Sequence, residues 1–285
     1  MSFQKFATVN IIGGLGNQLH QFAFIKYLEN KGFKLRVNLD WYKVDEHEDG
    51  TIPRKFELNI KNFDLILSNE DEYKKFERFN YLNNSKKFKK FYESRFNFLY
   101  KYHYGNEFSE NKLYINNVFD GYWQNKKYLI DKKTYLLDGL SKHDDFKTLQ
   151  KDNNQDLNTM VHIRRGDYLS WGEDLPLSYF EDSIRKLKSE IGEFKYNIYT
   201  DGEINKKSEL YKFAENIFND TSESSLSTLK KMTNYDNFII SNSSLSFFGA
   251  FLSESKKKRV IYPKPWFKSV NFDPYVEEDW NHIEY

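Results

Sequence analysis

The apolar pattern of this chain opens with a short run at 9–12 that meets Gly13, Gly14 and Gly16. Leu19, Phe22, Ile25 and Leu28 follow at helical spacing, Gly32 marks a stop, and LRVNL begins another apolar run. The spacing predicts strand, glycine turn, helix and strand over 8–40, a βαβ opening. The second half alternates regularly. TMVHIR (159–164), YNIYT (196–200), NFIIS (237–241) and RVIYP (259–263) read as strands. Helices are predicted over 177–192, 206–216, 223–234 and 243–254. In the first of these Phe180, Ile184, Leu187 and Ile191 share a face, and Ser178 with Glu181 makes a capping-box pair. Strands alternating with helices predict parallel α/β sheets with ligands at the strand C-termini. The polar stretch 141–158 is the best linker, which gives two domains, 1–150 and 151–285.

Residues 73–104 break this pattern, with nine Lys/Arg against two Glu interleaved with aromatic rings. They fit an amphipathic helix with its rings packed inward, or a surface that meets an anionic membrane or a saccharide. Elsewhere charge adds little. The net charge is +1 with 30% charged residues, so no basic excess points to nucleic acid. The chain has no cysteine, which excludes disulfides, thiolate metal sites and a cysteine nucleophile. The first ten residues are too polar for a signal peptide, and no run approaches ~18 apolar residues. A cytoplasmic protein is expected, at most peripheral to the membrane through 73–104.

Three stretches carry chemistry. Gly13-Gly14-Leu15-Gly16-Asn17-Gln18 exposes backbone N–H groups at a helix start, which suits an anion or a close sugar, and equally a tight βα turn. Its spacing is neither a dinucleotide fingerprint nor a P-loop. In VHIRRGDYL, strand alternation puts His162 and Arg164 on one face and Val161 and Ile163 on the other. Arg165, Gly166 and Asp167 then lie at the strand's C-terminal end. Two arginines beside one aspartate allow one cation to be held by Asp167 and the other to meet a phosphate. Ser241, Asn242, Ser243 and Ser244 precede an apolar helix, as N-caps and as an anion site. Asp201 ends the 196–200 strand, where a carboxylate can accept from a guanine edge or a ribose hydroxyl, or cap a turn. One Asp-x-Glu without a nearby histidine is poor grounds for a metal site.

Together GGLGNQLHQFAF, FDGYWQNKKYL, VHIRRGDY and SNSSLSFFGAFL resemble the α-1,2-fucosyltransferases of glycosyltransferase family 11 and span almost the whole chain. The resemblance implies a GT-B-like fold, two Rossmann-like domains facing a central cleft, the first on the acceptor side and the second binding the nucleotide sugar. It implies GDP-fucose as donor, no metal or other cofactor, and inverting transfer to O2 of a galactose in an oligosaccharide or lipid-linked glycan. By the same resemblance Arg164 meets the β-phosphate, His162 and Arg165 line the nucleotide site, and Asp167 orients an arginine, with Arg165 the one expected nearer Asp167. Ser243 and Ser244 meet phosphate, Asp201 matches a guanine-contacting position, and Gly14, Asn17 and Gln18 face the donor sugar and acceptor. His20 stands where the family usually has an apolar residue, and Phe247-Phe248 replaces a common Trp-Trp. The general base is left open among Asp120, His20 and His162, with water or a phosphate oxygen as further options. Transfer to another hydroxyl, another GDP-sugar, and a saccharide-binding protein without catalysis are the competing readings.

Overall fold

The computed structural model describes residues 4–44, 53–68, 100–108, 116–147, 159–219, 223–270, 272 and 276–285. The chain divides into two compact units, Met1–Gly139 and Leu140–Tyr285. The first is built on β1 (Phe6–Asn10), α1 (Leu15–Asn30), β2 (Lys34–Asn38), β3 (Tyr100–Tyr104), β4 (Asn116–Asp120), α2 (Lys126–Leu129) and most of α3 (Lys133–Ser141), whose last two residues belong to the second. Its four strands are all parallel, in the order β2-β1-β4-β3. Leu19, Phe22, Ile25 and Leu28 are buried as the spacing predicts. So are Gln18, His20 and Gln21, because α1 is enclosed on nearly every side over its first three turns. Aromatic stacking fills the remaining space: Phe24 lies on Trp123 with centroids 4.4 Å apart and meets Phe119 edge-on at 5.2 Å.

The second unit contains α4 (Asp144–Lys147), β5 (Thr159–Ile163), α5 (Gly166–Trp171), α6 (Leu177–Ile191), β6 (Tyr196–Thr200), α7 (Glu209–Lys212), β7 (Ala214–Asn219), α8 (Ser225–Met232), β8 (Asn237–Ile239), α9 (Ser244–Leu252), β9 (Arg259–Lys264) and β10 (Asn281–Glu284). All six strands are parallel, in the order β10-β9-β8-β5-β6-β7. Counted from β5, that is the 3-2-1-4-5-6 order of a Rossmann sheet, with the reversal of winding between β5 and β8. Such a switch point leaves a crevice at the strand C-termini. Every residue of β5 is buried, since helices cover both faces of a parallel sheet. The predicted α/β class, with two Rossmann-like units, is therefore the observed one.

Four local expectations are corrected. The compact units divide at 139/140, ahead of the expected boundary at 150/151, and the predicted linker is partly helical. Within the predicted linker, α4 buries Phe146 under the Lys230 ammonium at 4.8 Å, and Asp145 accepts from Ser224 at 3.0 Å. Residues 148–158 lie outside the described ones. The Ser178–Glu181 capping box is not made, because α6 starts at Leu177 behind Pro176, with no side-chain cap. The predicted helix over 206–216 stops at Lys212, and β7 begins at Ala214 as a largely exposed edge strand. Of the 73–104 segment only the end is described, and Tyr100–Tyr104 is a strand and not a helix.

Candidate active site

The β5–α5 loop carries a largely buried cluster of charge. Ile163 pairs in register with Thr200, which sets the next residues, Arg164 and Asp201, side by side at the strand ends. Arg164 Nη1 lies 2.7 Å from Asp201 Oδ2, and Arg164 Nη2 lies 2.7 Å from Asp167 Oδ1. The three side chains are 16%, 5% and 6% exposed, so this is a nearly dry ion triad and not a surface pair. Burial works against the Arg164 charge, but Asp201 and then Asp167 outweigh it and raise its pKa above the ordinary value. Asp201 Oδ1 also accepts the backbone N–H of Arg165 at 2.7 Å and of Gly166 at 3.1 Å. Gly166 permits this approach, since a Cβ there would lie 2.3 Å from Asp201 Oδ2. The Arg165 guanidinium is half-buried and has no hydrogen-bond or ion-pair partner among the described residues.

Across the switch point stands the β8–α9 corner. Ser243 caps α9, its hydroxyl accepting the Leu245 N–H at 3.3 Å, and the first turn of α9 has no acidic residue. The positive end of that helix is therefore uncompensated by side-chain charge. His162, fully buried, joins the two corners through a 2.9 Å contact between Nδ1 and Ser241 Oγ. Tyr168 Oη donates to the Asn242 carbonyl at 3.1 Å, and Asn242 Nδ2 donates to the Glu173 carbonyl at 2.8 Å. The Glu173 carboxylate in turn accepts from the backbone of Lys268 at 2.7 Å and Ser269 at 2.9 Å. Desolvation raises the Glu173 pKa, but the Ser269 hydroxyl and these backbone bonds outweigh it and lower the value.

The first unit's sheet ends in two amides and a carboxylate. Asn38 closes β2, Asn10 closes β1 and Asp120 closes β4. Asn38 Nδ2 donates to Asn10 Oδ1 at 3.2 Å, and the Asn10 side chain hydrogen-bonds Asp120. Burial raises the Asp120 pKa, partly offset by that bond. The glycine loop is stapled by glutamines. Gln18 Nε2 donates to the Gly13 and Lys55 carbonyls at 3.1 and 2.9 Å, and its Oε1 accepts the Glu57 N–H at 3.1 Å. Gln21 bonds both backbone groups of Ile12 and the carbonyl of Gly121. Gly13 takes φ +78° with Asn17 packed against it, a conformation that other residues reach only with strain. Half-buried Asn17 accepts from Gln124 Nε2 at 2.8 Å, and the space beside Gly14 is open.

A family model described as Glycosyl transferase family 11 matches residues 2–284. The chain belongs to this family. Among family relatives, it is 29% identical to an alpha-1,2-colitosyltransferase of Escherichia coli, over 96% of this chain and 97% of that one. It is 27% identical to the Escherichia coli O-antigen biosynthesis glycosyltransferase WbnK, over 95% of this chain and 98% of that one. In fold it is similar to a mutant of Arabidopsis thaliana FUT1 solved in complex with GDP, with a TM-score of 0.50 and 11% identity, covering 93% of this chain and 72% of that one. The protein is a glycosyltransferase with the GT-B-like pair of Rossmann-like units.

Within this family 11 chain, the second unit brings Arg164, Arg165, Asp167, Asp201, His162, Ser243 and Ser244 to one end of one sheet. The arginine nearer Asp167 is Arg164, where the sequence reading puts Arg165. The helical turn that starts at Gly166 carries Asp167 back over residue 164, three positions away. Asp201, expected at a guanine-contacting position, has both of its oxygens engaged by the loop and is 5% exposed. Gln18 likewise has its amide occupied by backbone and staples the loop. His20 is buried and held neutral by desolvation, its pKa lowered to about 3, so it is unsuited to act as a base. His162 is enclosed in the sheet. Asn10, Asn38, Gln21, Tyr168 and Glu173 were not anticipated. Among the described residues no group of His, Asp and Glu is arranged to hold a metal ion, and no helix is long and apolar enough to cross a membrane.

Proposed function

We propose that the protein transfers L-fucose from GDP-fucose to O2 of a galactose residue in a glycan, with inversion. The observation that carries this is the Arg164 triad at the Rossmann switch point, facing the capped start of α9. A guanidinium has five N–H donors, and the triad uses one on each Nη. The remainder stay available for a diphosphate, in an orientation two carboxylates have already fixed. Arg165 adds an unpaired cation, needed because Arg164 with Asp167 and Asp201 sums to one negative charge. In the step itself the sugar C1–O bond to the β-phosphate breaks, and its electron pair leaves with GDP. The acceptor oxygen bonds C1 from the opposite face and its proton passes to a base. Asp120 suits that role, since its raised pKa makes it a stronger base than an ordinary carboxylate. The arginines and the helix dipole meet the leaving charge, so the reaction is proposed to need no metal.

The FUT1 neighbour's complex with GDP supports a GDP-sugar donor, and the colitosyltransferase's name supports an α-1,2 linkage. That relative also favours a second reading, in which the group transferred is colitosyl. On the acceptor side we propose a galactose-terminated oligosaccharide or lipid-linked glycan met in the cytoplasm. A membrane contact through 73–104 rests on composition alone. The test is a transfer assay with GDP-fucose against GDP-mannose, UDP- and dTDP-sugars on an acceptor panel, with and without EDTA and with linkage analysis. Fucosyl transfer to galactose O2 that survives EDTA is expected. Preference for a UDP- or dTDP-sugar, or loss of activity in EDTA, would overturn the assignment.

A further inference from the structure

Asp201 is the most heavily bonded side chain in the charged loop. It lies on β6's connection, 36 residues from the motif that contains the arginines, and the β5–β6 register alone brings it there. Its Oδ1 gathers two successive backbone N–H groups at 2.7 and 3.1 Å, and its Oδ2 takes Arg164 at 2.7 Å. With 5% of the side chain exposed, it cannot turn toward a ligand without releasing all three bonds. Asp167 holds the other Nη of the same guanidinium, so the plane of Arg164 is fixed from two sides. Gly166 completes the arrangement, because any Cβ would drive into the Asp201 carboxylate.

We propose that Asp201 is a positioning residue that sets Arg164 and the 164–166 backbone for the donor's diphosphate, and does not read the base or the ribose. This rests on the GDP-sugar reading, and it separates two roles that a carboxylate at this strand end can have. A base or ribose contact contributes equally to GMP and GDP. A residue acting through Arg164 contributes to the increment between them, and to turnover, where the leaving charge on the β-phosphate is largest.

Calorimetric titration of the full chain with GMP, GDP and inorganic pyrophosphate, on wild type and Asp201→Asn, tests this alongside transfer kinetics. The asparagine keeps the shape but removes the charge and one acceptor. The expected result is GMP affinity within about twofold of wild type, GDP and pyrophosphate weakened roughly tenfold, and kcat lowered on the order of 10²-fold at nearly unchanged acceptor KM. Gly166→Ala is the second variant. It keeps every charge and displaces the carboxylate, and the same pattern is expected, with far-UV circular dichroism confirming the fold of each. Equal weakening of GMP and GDP with pyrophosphate unchanged would overturn the proposal, as would unaltered GDP affinity and kcat in both variants. If wild type binds pyrophosphate but no guanine nucleotide, the GDP reading fails. Loss of pyrophosphate in Asp201→Asn would then still support the positioning role.

Discussion

The two units end their parallel sheets in opposite chemistry. The first closes β1, β2 and β4 with Asn10, Asn38 and Asp120 and staples its glycine loop with Gln18 and Gln21. The second closes β5 and β6 with Arg164 and Asp201 in an ion triad. Amides donate and accept at neutral charge, so they hold a backbone loop at low electrostatic cost and suit a hydroxyl-rich ligand. A triad of buried ions is costly to assemble, and its partners are strongly interdependent. Under the proposed function the first edge serves the neutral glycan, with Asp120 as its one carboxylate, and the second serves the donor's diphosphate.

Arg164→Ala breaks the charged edge most directly. Transfer is expected to fall 10²–10³-fold, about 2.7–4 kcal/mol of barrier, with the circular dichroism spectrum retained. Near-normal turnover would remove the distinction between the edges. Asp120→Asn tests the amide edge. A loss of about 10²-fold is expected, together with disappearance of the acid limb of the kcat/KM profile. In the wild type that limb lies above the ordinary carboxylate range, because the base form is lost as pH falls through a raised pKa. An unchanged limb in the variant would reassign the base.

Gln18→Ala sharpens the structural side of the comparison. It leaves the Gly13 and Lys55 carbonyls and the Glu57 N–H without their partner, and a stability loss of about 2 kcal/mol is expected from urea unfolding. The smallest effect is that of His20→Phe. Near neutral pH, stability changes by less than about 1.5 kcal/mol. The folded pKa of about 3 lies below the unfolded value of 6.5, so in acid the unfolded chain binds the proton first. Wild-type stability is complete above that unfolded value and declines as pH falls, by up to ~1.4 kcal/mol per unit. Phenylalanine removes this decline, a difference of about 2 kcal/mol near pH ~5. Parallel pH–stability curves for the two proteins would contradict it.

Much of this was legible along the chain, for identifiable reasons. The βαβ opening shows because an apolar run meets glycines and then a clear helical period. Most second-unit strands show because a sheet covered on both faces selects short apolar runs. β7 does not show, since its exposed edge position leaves Ala214–Asn219 without an apolar pattern and next to a lysine-rich helical turn. Arg164, Asp167 and Ser243 are visible as local motifs. The engagement of the 164–166 loop by Asp201 is not, because it is made by strand register across 36 residues. The exchange of roles between Arg164 and Arg165 follows from the helical turn at Gly166, which neighbouring letters do not reveal. The Asn10–Asn38 pair is hidden similarly, as a contact between strands 28 residues apart.

Backbone hydrogen–deuterium exchange with and without saturating GDP compares the two edges in one measurement. Protection is predicted at 162–168, 200–202 and 241–246, where, under the proposed function, Arg164 held by Asp201 and the start of α9 meet the diphosphate. Protection confined to 10–21 and 118–124, with none in the second unit, would contradict the account.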